Sequence, residues 1–502
     1  MKTINKLLIV LLGFSLFSCS EDFFDIENTS VVTADELNSS PEKLLSVVEP
    51  LQVGIYSYMT QYNTQGSSST RHEDFGWMGI AHLGDVMNDD LAFHTRGSGW
   101  FTYDYELDYW GAQYVRPFFY WNFCYTVVAK ANDIISKIAL DTENPELRAI
   151  LGQSFALRAL GHFYAAQMYQ QTYIGNEDAK GVPVIITSGE GESDASRGTL
   201  KSVYAQIRSD FEKSIDYLDG WERPSKVYIN KNVAAGLYSR ALLVLNDWDN
   251  AAKYAHIARE GFPVLTISEL ATEGFNNINS KEWLWGADIT GETTTMFASF
   301  FSFVCSYDAG YGGQVGQYRK IDAKLYSQMS VSDARRKQFK VAASGNNYTS
   351  YEAALPDYTN LKFKAVPNWE ADYVFMRTSE LVLTEAEALA RSGKGSEAAN
   401  VLKELMQNRD PSWSASTVTG EDVYQQRRIE LWAEGFSLFD HLRLKKGIDR
   451  AYAGSNHLSS AKYKIPAGSW YFLFQLPLRE LDNNSAMSKD DQNPAPTESK
   501  FQ

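Results

Sequence analysis

The sequence predicts a mainly α protein in which antiparallel helix pairs stack into an α-α superhelical scaffold, with long loops and a few short strands between them. Three observations carry that prediction. Apolar residues recur at helical spacing in several blocks, and these blocks come in pairs joined by short polar turns. Two stretches rich in Gly, Ser, Thr and aromatic residues, 60–112 and 283–320, lack such a period and read as insertions into the helical frame.

The chain opens on processing signals. Lys2 and Lys6 precede an apolar run from Leu7 to Phe17, and Ser18 stands before Cys19. Such a run suits a secretory signal over residues 1–18 and is too short to span a membrane as a helix, which takes about 20 apolar residues. Leu16-Phe17-Ser18-Cys19 resembles a bacterial lipobox, which implies a mature chain that begins at an acylated Cys19, palmitate among its chains. Several acyl chains on one residue make a stable anchor, where a single chain holds only marginally. Residues 19–40 then read as tether and lead-in, with Glu21, Asp22 and Asp25 resembling the acidic export tag of some surface lipoproteins.

Helices follow. Leu157, Leu160, Tyr164 and Met168 line one face, and Ala156, Ala159 and Gly161 leave room for a neighbouring helix. Thr199 caps a second helix through Val203, Ile207, Phe211, Ile215 and Leu218, which Gly220 stops. Asn230 caps a third, a turn at 246–250 follows, and an alanine-rich helix ends at Gly261. The same plan recurs at 379–408, with Ser379 as cap and Ser396 opening the return helix. Such pairs resemble tetratricopeptide repeats, whose units need neighbours to bury their apolar faces.

Composition narrows the partners. Loss of residues 1–18 moves the formal charge from −15 to −17, and a chain this acidic repels phosphate backbones, so nucleic acid is not expected. No segment separates as a linker, and residues 19–502 read as one domain. Cys124 and Cys305 either pair in an oxidising compartment or serve as small buried hydrophobes. The chain lacks His-Glu-x-x-His, Gly-x-Ser-x-Gly, a phosphate loop and Cys-x-x-Cys. No cofactor or metal is expected.

Four motifs in series resemble the SusD/RagB family of outer-membrane nutrient-binding lipoproteins. They are Ala156 to Leu160 with Phe163-Tyr164 and Gly181 to Val184, then Tyr204, Ile207, Asp210 and Phe211. Next come Arg377 to Leu381 leading into Glu385 to Ala388, and Arg427 to Leu431 with Glu434-Gly435-Phe436 and Asp440 to Arg443. Leu476 to Leu481 and Gln492-Asn493-Pro494 resemble the family's closing elements, although Ala495 and Pro496 depart from its usual continuation. The charges in these motifs, Arg377, Glu380, Glu385, Arg428, Glu430 and Glu434, are expected to be helix-face ion pairs and caps, not catalytic groups.

The resemblance implies a lipid-anchored protein on the outer surface of an outer membrane. Such a protein binds an oligosaccharide and delivers it to a SusC-like TonB-dependent transporter, and it is not an enzyme. A peptide- or protein-binding surface module is the alternative, and a glycan-active enzyme a weaker one. An aromatic ring suits the apolar face of a pyranose, so Trp77, Trp100, Tyr307 and Tyr311, beside Gly or polar residues, are the candidate platforms. Asp85 and Asn88 are candidate partners for sugar hydroxyls, while Asp85, Asn88, Asp89 and Asp90 otherwise read as a solvated loop or calcium ligands. Trp110, Trp283 and Trp285 are expected in the core, and the glycines at 310–316 as a mobile rim.

Overall fold

The computed structural model describes residues 40–62, 72–97, 99–189 and 195–500, so the signal peptide, Cys19 and the acidic tether lie outside the described residues. The chain divides into two units, Met1–Val47 and Val48–Gln502. No helix among the described residues is long and apolar enough to cross a membrane.

Eleven helices of seven residues or more carry the architecture among the described residues. They are α1 (Pro41–Tyr58), α2 (Trp77–Val86), α3 (Val115–Lys137), α4 (Pro145–Tyr169), α5 (Leu200–Tyr217), α6 (Lys231–Val244), α7 (Trp248–Arg259), α8 (Thr378–Arg391), α9 (Gly395–Met406), α10 (Gly420–Glu430) and α11 (Ser437–Arg443). From α3 to α9 each helix packs on the next, and α10 packs on α8. This is the stacked helix-pair scaffold that the periodicity predicts.

Local chemistry sets the helix ends. Asn144 accepts from the backbone N–H of Glu146 and Leu147 at 3.1 Å, ahead of Pro145 in the first turn of α4. Thr199 caps α5 through Ser202 N–H and Asn230 caps α6 through Val233 N–H, both at 3.1 Å. Gly220 and Gly261 follow α5 and α7 with φ of 73° and 82°. A Cβ on Gly161 would stand 2.7 Å from the carbonyl oxygen of Cys124, so glycine there sets how closely α4 lies on α3. Ser379 is not a cap: α8 begins one residue earlier, and the Ser379 hydroxyl is bound to Glu282.

Ten short strands complete the described fold. A four-stranded antiparallel sheet has the order β1 (Leu91–Phe93), β5 (Arg319–Ile321), β7 (Thr359–Asn360), β6 (Phe339–Lys340), with Leu91 opposite Ile321 and Lys320 opposite Thr359. Three two-stranded ribbons pair β2 (Lys180–Pro183) with β3 (Arg197–Thr199), β4 (Trp283–Ala287) with β8 (Tyr373–Arg377), and β9 (Ile448–Asp449) with β10 (Lys464–Ile465). The β4–β8 ribbon closes a long excursion, because the chain leaves the stack after α7 and re-enters it at α8, which packs on α7.

The family-like motifs meet through buried ion pairs. Arg158 donates to Asp210 at 2.8 and 2.7 Å, Arg240 to Glu380 at 2.6 and 2.7 Å, and Arg443 to Glu387 at 2.8 and 2.6 Å. These are ion pairs as expected, but they run between elements and not along one helix face. The tail is docked as well: Asn493 donates to the carbonyls of Tyr169 and Phe474 at 2.6 and 3.0 Å.

One further expectation changes, and one open choice is decided. Residues 77–86 form a helix with every residue buried, and a helix covered on all sides shows no amphipathic period. Cys124 and Cys305 are both buried free thiols, so the small-hydrophobe reading holds and the pairing does not.

Candidate functional site

The two insertions meet, and with the 367–369 turn they build a strip of partly exposed rings. His72 stacks on Trp100 with centroids 5.4 Å apart, and Trp100 lies 5.2 Å from Tyr311. Tyr311 meets Phe297 edge-on at 5.1 Å, and Phe297 meets Trp369 at 5.4 Å. Phe297 is 44 % exposed and Met296 beside it 50 %, so this end of the strip presents apolar surface to solvent. Beneath it, Phe303 supports Trp100 edge-on at 5.7 Å and packs with Phe75 and Phe101 in the core.

The loops that hold these rings are fixed by short-range bonds. The Thr294 hydroxyl donates to the Trp369 carbonyl at 2.7 Å, Thr295 to the Ala298 carbonyl at 2.6 Å, and Ser302 to the Met296 carbonyl at 3.0 Å. Phe101, Met296, Asn368 and Trp369 all adopt positive φ, from 50° to 66°. Such conformations cost of order 1–3 kcal/mol each and persist where the surroundings dictate them. Four of them flank this strip.

Residues 311–314 are a helical turn and not a loose rim, with Gly312 and Gly313 buried. A Cβ on Gly313 would lie 2.3 Å from the Tyr307 carbonyl oxygen, so glycine allows the turn to fold back on itself. That fold presents Tyr311 to the strip and turns Tyr307 elsewhere. The Tyr307 hydroxyl donates to Glu352 at 2.6 Å, and its ring stacks on Tyr351 at 5.9 Å.

The remaining sequence candidates are corrected to the core. Trp77 is 5 % exposed and packs edge-on against Tyr164 at 4.3 Å, because it opens a fully buried helix. Asp85 is buried and accepts from Gly435 N–H at 2.7 Å; burial pushes its carboxyl well above the usual range against the pull of the Gly435 and Ser437 N–H groups. Asn88 is buried against His441, its Nδ2 2.5 Å from the ring nitrogen. Asp89 and Asp90 are engaged by Arg428, and Asp90 also accepts from Ser437 at 2.8 Å. These oxygens are spent within the protein, and among the described residues no group of three or more His, Cys, Asp or Glu side chains is placed to hold a metal ion. Trp283 and Trp285 are fully buried and Trp110 is half-buried.

Of the six ligand candidates, the structure therefore brings Trp100 and Tyr311 together, sets Tyr307 on a neighbouring wall and buries the other three. Phe297, Trp369 and His72 complete the strip without having been singled out. Phe297 lay within a long apolar run, and Trp369 follows Pro367-Asn368, a turn signal outside both insertions. Nearby, Tyr103, Tyr109 and Tyr114 form a second stacked ladder at 4.6 and 4.7 Å, with the Arg96 guanidinium over Tyr103.

Comparison with known proteins supports the fold. Residues 22–243 match a SusD-like family model described as starch-binding associating with outer membrane, and residues 311–495 match the model of the SusD family. A SusD-like carbohydrate binding protein from Bacteroides vulgatus is similar with a TM-score of 0.76 at 23 % identity, over 90 % of this chain and 98 % of its own. A SusD superfamily protein from Bacteroides thetaiotaomicron gives 0.71 at 22 %, over 90 % and 100 %. Surface glycan-binding protein A from Bacteroides uniformis gives 0.64 at 17 %, over 89 % and 99 %. No curated protein matches the chain.

Proposed function

Because the chain belongs to the SusD family, we propose that it is a cell-surface glycan-binding lipoprotein that captures an oligosaccharide and passes it to a TonB-dependent transporter in the outer membrane. The observation that carries this reading is the run Trp100, Tyr311, Phe297, Trp369, with successive centroids 5.1–5.4 Å apart. Rings at that spacing offer adjacent apolar faces and edges to the C–H surfaces of consecutive sugar units. Each contributes about 1 kcal/mol. A few such contacts with some hydrogen bonds amount to millimolar to micromolar affinity, on the order of 4–8 kcal/mol, which suits capture followed by release.

The family models and the similarity to a surface glycan-binding protein support the ligand class. The lipobox at Cys19 supports anchoring at the outer membrane, and the anchor leaves the domain free to move over its transporter. The carboxylates that most resemble an acid pair, Glu430 and Glu434, are buried and bound to arginines, which suits binding and not hydrolysis. A glycan array read with the native chain and a Trp100→Ala/Tyr311→Ala variant tests the proposal. Binding to a glycan class that the variant loses is expected; hydrolysis of the bound glycan, or binding unaffected by both substitutions, overturns it.

A further inference from the structure

A cavity of about 360 Å³ opens where residues 49–53 of α1, the first turns of α4 and the loop after α5 come together. It shares no residue with the aromatic strip, and its size is at the small end for ligand sites, which span about 300–1,000 Å³. Ala149 and Ile150 line it as buried apolar residues, and Trp221 and Tyr228 as partly exposed rings. Glu49, Glu146 and Glu222 stand exposed around it, and among the described residues no lysine or arginine lines it. Arg223, beside Glu222 in the chain, is spent on the Tyr228 carbonyl at 3.0 Å. The indole N–H of Trp221 donates to Glu146 at 3.2 Å, which ties the ring to α4.

One buried side chain in this cavity has donors left over. Gln153 is 2 % exposed, and its Oε1 accepts from the Tyr56 hydroxyl at 2.7 Å. That hydroxyl accepts in turn from the Ile229 N–H at 3.0 Å, so its single proton goes to Gln153 and fixes which end of the amide faces it. The amide nitrogen is the end left toward the cavity, and among the described residues it has no hydrogen-bond partner. Two N–H donors and three carboxylates thus surround one apolar pit. An anion is repelled by the carboxylates, and a simple cation leaves the Gln153 donors unmatched. A hydroxyl both accepts and donates, so it satisfies each side. No strand borders the cavity, so a peptide has no sheet edge there to add to. We propose that this cavity is a second glycan site that takes one neutral sugar unit, its apolar face on Trp221 and its hydroxyls between Gln153 and the glutamates. The inference rests on the glycan-binding reading and adds a second point of capture, which raises the avidity for any glycan long enough to reach both.

Fluorine NMR on the mature chain labelled with 5-fluorotryptophan tests it, the Trp221 resonance being assigned by its loss in Trp221→Phe. The probes are maltotetraose, laminaritetraose, mannotetraose, β-1,4-galactotetraose and any neutral glycan positive on the array, with a pool of neutral tripeptides beside them. At least one sugar probe is expected to shift the Trp221 resonance, with half-saturation at about 1–10 mM. The shift is expected to persist in the Trp100→Ala/Tyr311→Ala variant. Gln153→Glu keeps an oxygen for Tyr56 and removes the amide donors, and is expected to weaken the binding about fivefold. Val53→Phe, at an exposed position on the rim, narrows the mouth and is expected to weaken the same shift with melting unchanged. No shift with any sugar probe, or a shift that neither variant weakens, overturns the inference. A shift caused by the tripeptides alone assigns the cavity to peptides and overturns it too. If Trp221 stays silent while the array signal is lost in the Trp100→Ala/Tyr311→Ala variant, the second site falls and the proposed function stands. A Trp221 shift beside array binding that this variant leaves intact keeps the second site and overturns the strip.

Discussion

Arg377 donates two hydrogen bonds to Glu434, at 2.7 and 2.8 Å, although 57 residues separate them. The same guanidinium reaches Glu282 at 2.8 Å and Glu430 at 2.9 Å, so one side chain at the end of β8 ties the residue before β4, α10 and the segment after α10 to the junction where α8 begins. All four groups are buried. Removing the arginine leaves uncompensated carboxylates in a dry site, which costs about 3–5 kcal/mol. Arg377→Met is expected to lower the free energy of unfolding by that amount, read as a lower urea midpoint at an unchanged slope, whereas Lys231→Met, at an exposed pair with Asp219, leaves the midpoint nearly where it was.

Acid is expected to unfold the chain in two stages. Burial pushes the His162 imidazole down to about 3, and the Arg158 charge adds to this. Its Nε2 accepts the Ile185 N–H at 3.1 Å, so the folded ring stays neutral. The unfolded ring takes a proton near pH 6.5, so this group removes about 1.4 kcal/mol of stability per pH unit from there downward, until the folded ring also titrates.

Carboxylates dominate the second stage. Burial opposes the charged form of Glu430 and Glu387, but the arginines prevail; they hold Glu430 well below the usual range and Glu387 at about 2. Depressed folded values mean that this stabilisation is complete above the unfolded pKa of about 4.5 and is lost as pH falls toward the folded values. Urea midpoints at pH 7, 5.5, 4 and 2.5, as set points of about those values, check both stages. A flat profile between the first two removes the histidine contribution.

Trp77 and Trp100 are expected to fail differently. Trp77→Ala empties a core position and costs about 3–5 kcal/mol of stability. Trp100→Ala removes one half-exposed ring and is expected to weaken glycan binding roughly fivefold with little change in melting, in line with about 1 kcal/mol per aromatic contact. Paired calorimetric and melting measurements separate the two.

The thiols offer a simple check on packing. Burial raises the Cys124 thiol to about 12, and Cys305 is raised by burial as well. Neither is expected to react with a disulfide reagent at neutral pH until denaturant is added, when two thiols per chain react in a variant with Cys19 replaced by Ser. Immediate reaction of the native chain contradicts the packing described above.

Helix starts were legible where local chemistry decides them. Thr199 and Asn230 hydrogen-bond to their own first turns, as their positions before apolar periods suggest. Ser379 misled because its hydroxyl is taken by Glu282, 97 residues away, which no local pattern reveals. The site divides in the same way. Trp100 and Tyr311 stood out beside glycine in irregular segments, and so did Trp77 beside Gly76. Only the tertiary fold shows that the last of these opens a helix buried on every side. Trp369 was missed because its place in the strip depends on a turn far from either insertion.

The β4–β8 ribbon also sets how the chain tolerates change. Residues 288–372 leave and return at paired strands, with Ala287 opposite Tyr373, so the chain makes a detour with its mouth clipped shut. Phe297, Tyr311 and Trp369 all hang on that detour, while the stack from α3 to α7 lies before it and α8 to α11 after it. Lengthening such a closed segment is cheap, about 0.6 kcal/mol for each doubling. A change of length or sequence within residues 288–372 is therefore expected to alter three of the four rings in the proposed run while leaving the frame of helices as it is.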